Sequence, residues 1–131
     1  MRTVVVDASV MVDVLVETEK AGSARAALAD AELVAPALID VEVLSALARM
    51  ERAEVLTAVE ADAVVAEWEQ AAIGRVGLAA LTPWVWARRH STRISDAYYL
   101  ELAHCVDAPL ITSDARLARG PHPDIEVTLI E

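Results

Sequence analysis

The chain of 131 residues has no phenylalanine, one cysteine, one lysine and four glycines. The lone Cys105 excludes an internal disulfide framework and a cysteine-rich zinc site. His90, His104 and His122 show no HxxxH or HExxH spacing, so a histidine-built zinc site is a poor fit as well. No uninterrupted run of apolar residues is longer than four, far short of the roughly 20 that a membrane-spanning helix needs. The opening run Val4-Val5-Val6 stops at Asp7, too soon for a signal-peptide core. Aromatic residues make up only 4% of the chain, which leaves little for the stacking platform of a passive single-strand RNA binder. Hydrophobic residues are plentiful at 56%, and that excludes a disordered chain. The length suits one domain with a proper core. The expectation is a single soluble cytoplasmic domain over residues 1–131, without a membrane segment.

Acids outnumber bases 21 to 11, for a net charge of −10. That balance by itself disfavours nucleic-acid binding, because acidic surfaces repel phosphate backbones. The distribution is uneven. Residues 1–70 hold fourteen acids and five bases, whereas residues 71–95 hold no acid and carry Arg75, Arg88, Arg89 and Arg93. A local basic face can therefore sit on an acidic protein, although such arginines can also simply solvate a helix.

Short apolar runs alternate with helical patterns from end to end. Residues 3–6 read as a strand buried on both faces and ending in a carboxylate. Helices are expected over 9–16, 21–30, 38–52, 57–73, 83–90, from a Ser95 cap to about 106, and over 115–119. Further strands are expected at 33–35, 109–112 and 125–130, with a loop over 74–82 and a turn at 120–123. This is the pattern of an α/β layer fold around a mostly parallel sheet.

In such sheets, ligands bind beyond the carboxyl ends of the strands. Asp7 follows the first strand, and Asp114 follows the strand at 109–112. Either could merely cap the helix after it. Asp96 begins an apolar stripe, with Tyr99, Leu100 and Ala103 within about 60° of it on a helical wheel. Ser95 is available as the cap, which leaves Asp96 free for other work. Glu42 shares a narrow polar strip with Ser45 and Arg49 on an otherwise apolar helix, where it could pair loosely with arginine. Asp13 and Asp40 read as solvated faces. Trp84 and Trp86 read as core or dimer packing. Four carboxylates in one pocket raise one another's pKa values and need compensation by protons or cations. A hard divalent cation with oxygen ligands, Mg²⁺ or Mn²⁺, suits them, and the resulting site suits phosphodiester hydrolysis.

Three stretches carry a family resemblance: VVVDASV at 4–10, PALIDVEVLSALARM at 36–50 and ISDAYYLELAHCVDAPLITSDARL at 94–117. The chain resembles PIN-domain nucleases, and among them the VapC toxins of bacterial toxin–antitoxin pairs. The resemblance implies a three-layer α/β/α fold with a parallel sheet of about five strands. It puts the acidic quartet at Asp7, Glu42, Asp96 and Asp114, with Asp7 and Asp96 as main metal ligands and Glu42 positioning the metal or the attacking water. Ser9 and Thr112 become hydrogen-bonding neighbours. It further implies Mg²⁺- or Mn²⁺-dependent cleavage of RNA to 5′-phosphate and 3′-hydroxyl ends, homodimers, and inhibition by a VapB-type antitoxin. Arg88, Arg89 and Arg93 are candidates for holding RNA or antitoxin. Some relatives have a further acid after the last aspartate; residues 115–118 offer none, which leaves the number of metals open.

Other classes fit less well. A receiver domain needs a late lysine, and the only lysine is Lys20. A haloacid-dehalogenase-like phosphatase needs a second aspartate at position 9, where Ser9 stands. A structure-specific DNA nuclease and a non-catalytic PIN-like binding module remain as alternatives.

Overall fold

Three consecutive valines, Val4, Val5 and Val6, are each 0% exposed, and they form the middle of the sheet. In the computed structural model, which describes residues 1–131, they belong to β1 (Arg2–Val6), the central strand of five. The others are β2 (Ala31–Pro36), β3 (Gly74–Val76), β4 (Leu110–Thr112) and β5 (Val127–Leu129). The sheet order is β3-β2-β1-β4-β5, and every pair is parallel. A parallel sheet is covered on both faces, which is why its central strand is apolar without alternation. The covering helices are α1 (Ala8–Val16), α2 (Ala21–Leu28), α3 (Ile39–Arg52), α4 (Ala58–Gln70), α5 (Thr82–Ala87), α6 (Ile94–Val106) and α7 (Ala115–Ala118). Together they give the expected α/β/α arrangement.

Chain order reverses between β1 and β4. From β1 the chain runs outward through β2 to β3, then returns to the other side of β1 to lay down β4 and β5. A crevice opens at such a switch point, outside the carboxyl ends of the two strands. Asp7 and Asp114 follow those two ends.

Local signals set most element boundaries. Thr57 and Glu60 form a reciprocal capping box at the start of α4, with bonds of 3.1 and 2.9 Å. Glycine is too scarce to end every helix. α1 and α6 instead stop on left-handed residues, Glu17 (φ 61°) and Asp107 (φ 51°).

Several expectations need correction. The expected loop at 74–82 contains β3, whose three residues pair with Val34, Ala35 and Pro36. An edge strand this short is held by its neighbour's ladder and has little pattern of its own. Ser95 does not cap α6: the helix begins at Ile94, with Arg93 in the cap position and no side-chain cap bond. Asp40 is not merely solvated. It accepts bonds from Trp68 Nε1 at 3.0 Å and Arg75 Nε at 2.8 Å, and Arg75 lies over the Trp68 ring at 5.0 Å. The guanidinium of Arg75 beside Asp40 holds that carboxyl below its usual range. Trp84 and Trp86, expected in core or dimer packing, are 58% and 60% exposed, which removes the core half of that expectation.

Arg88 has a structural partner. Its Nε bonds Glu101 Oε1, and Glu101 is buried on α6, with its second oxygen left unpaired. Removing one partner of a buried pair leaves an uncompensated charge. Arg88→Ala is expected to lower unfolding free energy by about 3 kcal/mol in urea titrations, whereas removal of the exposed Arg89 should leave it nearly unchanged.

Candidate functional site

The crevice at the switch point is a cavity of about 460 Å³. Asp7, Glu42, Asp96 and Asp114 all line it, each from a different part of the chain. Asp7 comes from the end of β1, Glu42 from the first turn of α3, Asp96 from the first turn of α6, and Asp114 from the end of β4.

Asp7 is 8% exposed. It does not cap α1 with its side chain. Its Oδ2 instead accepts bonds from Ser9 Oγ at 2.6 Å and Thr112 Oγ1 at 2.8 Å. The same two hydroxyls accept from the backbone N–H groups of Ser113 and Asp114, both at 3.0 Å. The ends of β1 and β4 are thereby laced together, and Asp7 Oδ1 keeps no protein partner. Burial pushes the Asp7 carboxyl above its usual range. The two hydroxyl bonds oppose this, and the nearby charges of Asp96 and Asp114 add to it.

Glu42 is half-buried and also raised, first by burial and then by Asp7 and Asp96, against the opposing bond from Tyr99. The Tyr99 hydroxyl donates to Glu42 Oε1 at 2.6 Å. That bond and burial push the phenol pKa up, so Tyr99 stays a donor. Asp96, 5% exposed, is held by arginines: Arg93 Nε at 3.1 Å and Arg116 Nη2 at 2.9 Å. Asp114 does cap α7, accepting from the Arg116 and Leu117 backbone through Oδ1, while its Oδ2 takes Arg116 Nη2 at 2.9 Å. Capping and lining the cavity are compatible because the two oxygens divide the work.

Of the other candidates, Ser9 and Arg93 line the same cavity and Thr112 bonds Asp7 from behind it. Arg89 lies on an adjoining cavity, and Arg88 is committed to Glu101. Asp13, expected on a solvated face, lines the crevice and accepts from Thr18 and Ser113 at 2.7 and 2.5 Å.

Residues 4–122 match the family described as PIN domain. The chain belongs to the PIN-domain family. It is 48% identical to Ribonuclease VapC3 of Mycobacterium tuberculosis over 89% of this chain and 86% of that protein. Ribonuclease VapC1 of the same species is 34% identical, covering 99% of each chain. At the level of fold alone, the chain matches a crystal structure of VapBC2 from Rickettsia felis bound to a promoter DNA fragment, with a TM-score of 0.70, 10% identity, and coverage of 98% of this chain and 99% of that one.

The donors of this PIN site suit a hard divalent ion. They are carboxylates and hydroxyls, with no thiolate or imidazole among the cavity residues. No three acidic, histidine or cysteine side chains stand close enough to cage an ion by themselves. Mg²⁺ does not require that, because it keeps several waters and takes one or two carboxylates. The unpartnered Asp7 Oδ1 is the open donor; the oxygens of Asp96 are shared with Arg93 and Arg116.

Sequence reasoning missed Tyr99, Lys20 and Arg116 as site residues. Tyr99 falls on the Asp96 face of its helix, which was a usable signal. Lys20 lines the crevice, with Nζ 3.5 Å from Ser113 O, and no local pattern marks it. Arg116 sits two residues past Asp114 and acts as a cation between two acids.

The raised carboxyl of Asp7 has a defined sign for stability. Its contribution is fully present when it is protonated, below the ordinary carboxylate range, and is lost as pH rises through its raised value. Asp7→Asn is therefore expected to raise the melting temperature in EDTA at neutral pH. That advantage should shrink as pH falls and the wild-type carboxyl protonates, which a pH series of thermal melts will follow.

Proposed function

We propose that this chain is a divalent-metal-dependent endoribonuclease and the toxin of a VapBC-type pair, one domain over residues 1–131 that is silenced by a VapB-type antitoxin. The observation that carries the reading is the convergence of Asp7, Glu42, Asp96 and Asp114 on one crevice at the switch point. The names of the VapC relatives support ribonuclease chemistry. No helix is long and apolar enough to cross a membrane. Exposed Val41, Leu44, Val55 and Val59 on α3, α4 and their connection favour a homodimer, since a second copy would cover them.

Asp7 and Asp96 would hold Mg²⁺ or Mn²⁺, with Asp114 contributing through water. Such an ion neutralises charge on the phosphoryl oxygen and lowers the pKa of an attacking water. The chain's own groups do the rest. Ser9 and Thr112 fix Asp7 Oδ2, so the carboxylate presents Oδ1 to the crevice. Tyr99 fixes Glu42 Oε1 and leaves Oε2 without a protein partner. A carboxylate of raised pKa is suited to take the proton of the attacking water there. Arg93 and Arg116 hold Asp96 and Asp114 against mutual repulsion in the absence of substrate.

Purified protein is expected to cut single-stranded RNA with Mg²⁺ or Mn²⁺ and not in EDTA. Asp7→Ala and Asp96→Ala should each lower the rate by about a hundredfold or more while keeping the folded circular-dichroism spectrum. Undiminished cleavage by either variant removes that residue from the site, and undiminished cleavage by both defeats the reading. Tyr99→Phe keeps the ring packing and loses only the bond to Glu42. It should lower cleavage by about tenfold.

A further inference from the structure

A second cavity of about 460 Å³ lies beside the acidic crevice and shares Arg93 and Asp96 with it. Arg89, His90, Arg116 and His122 also line it, and Leu117 is its only apolar member. Three arginines there face one carboxylate, on a protein whose net charge is −10.

Resting on the ribonuclease reading, we propose that this cavity is a subsite for an RNA backbone phosphate next to the scissile one, with Arg89, Arg93 and Arg116 as its phosphate-binding residues. Each guanidinium has N–H groups to spare. Arg93 uses Nε and Nη2 on Asp96 and keeps Nη1. Arg116 uses Nη2 on Asp96 and Asp114 and keeps Nη1 and Nε. Arg89 gives Nη1 to Trp86 O at 2.9 Å and keeps Nε and Nη2. Arg89 is also steadied by the Trp86 ring, 4.6 Å from its guanidinium carbon. Planar forks of this kind match phosphate oxygens in pairs.

The wall also holds a histidine. His122 Nε2 pairs with Leu117 O at 2.8 Å, and its buried Nδ1 has no partner. The ring is seated against Gly120, where a Cβ would come within 2.6 Å of Nε2. Gly120 thus leaves room for an imidazole at the cavity wall.

The occupant follows from charge. A strand with one phosphate in the acidic crevice must carry its neighbours over a flank, and this flank carries three arginines. A polypeptide tail complementary to the acidic crevice would be basic, and the three arginines would repel it. RNA is negative along its whole length, and this cavity offers it three arginines whether or not the acids beside them are compensated.

The test measures binding of a fluorescent, unstructured single-stranded RNA oligonucleotide in EDTA across a salt series. Arg89→Ala should weaken binding by about tenfold and reduce the magnitude of the log–log salt slope by about 0.7, the loss of one phosphate contact. Arg89→Lys should recover part of the affinity. Arg75→Ala removes the same charge at the remote Asp40 pair and should change neither quantity. Equal losses for Arg75→Ala and Arg89→Ala, no loss for Arg89→Ala, or no RNA binding by the wild-type chain overturn the subsite. Weakened antitoxin binding with unchanged RNA binding overturns it too and assigns the cavity to the protein partner. The nuclease reading is judged separately by cleavage in Asp7→Ala, so the two can fail independently.

Discussion

Asp7, Glu42, Asp96 and Asp114 share one crevice, with Asp13 and Glu19 also on its wall, because a parallel sheet delivers its loop residues to a single edge. β1 and β4 lie side by side, so the residues that follow them, Asp7 and Asp114, cannot avoid each other. α3 and α6 add Glu42 and Asp96. The resulting repulsion sets much of the surrounding design. Ser9 and Thr112 spend their hydroxyls on Asp7 Oδ2, Tyr99 spends its own on Glu42, and Arg93 and Arg116 lie against Asp96. Each of these contacts is a partial answer to the same surplus of negative charge. The hard divalent ion proposed for the site would answer the same surplus with two positive charges and would offset the charge of a phosphodiester as well.

The division of charge has a functional side. An acidic protein repels RNA at long range, so selective contact has to be local. The segment from Arg88 to Arg93, which α5 and α6 bring against the start of α7, is the local basic patch on which the proposed RNA contact rests. Arg88 is spent on packing, anchoring buried Glu101. Arg89 and Arg93 face the adjoining cavity. Neighbouring arginines in one acid-free stretch thus divide into one committed to packing and two that line a cavity, and only side-chain geometry separates them.

The likeness to VapC relatives fits this architecture. The three stretches that carry the resemblance are the ones that build the crevice: the β1–α1 junction, α3, and the run from α6 through β4 to α7. The segment between them is the least recognisable in sequence. It holds β3, whose three residues take their form from β2 rather than from their own pattern.

What the linear order determined by itself was the kind of fold and the placing of Asp7 and Asp114 at the strand ends, while the full set with Glu42 and Asp96 came from the family resemblance. A valine run ending in Asp7, and Pro-Leu-Ile-Thr ending before Asp114, state burial and polarity locally, and burial and polarity decide strand and edge. Partnerships between distant side chains were decided only in three dimensions. Asp40 looked solvated until Arg75 and Trp68 reached it, 35 and 28 residues away, and Asp13 until Ser113 did so from 100 residues away. Helical and strand periodicities report which face a residue shares with its own element. They carry no information about which foreign residue packs there, and hydrogen bonds and charge pairs are made with whatever the fold brings within about 3 Å.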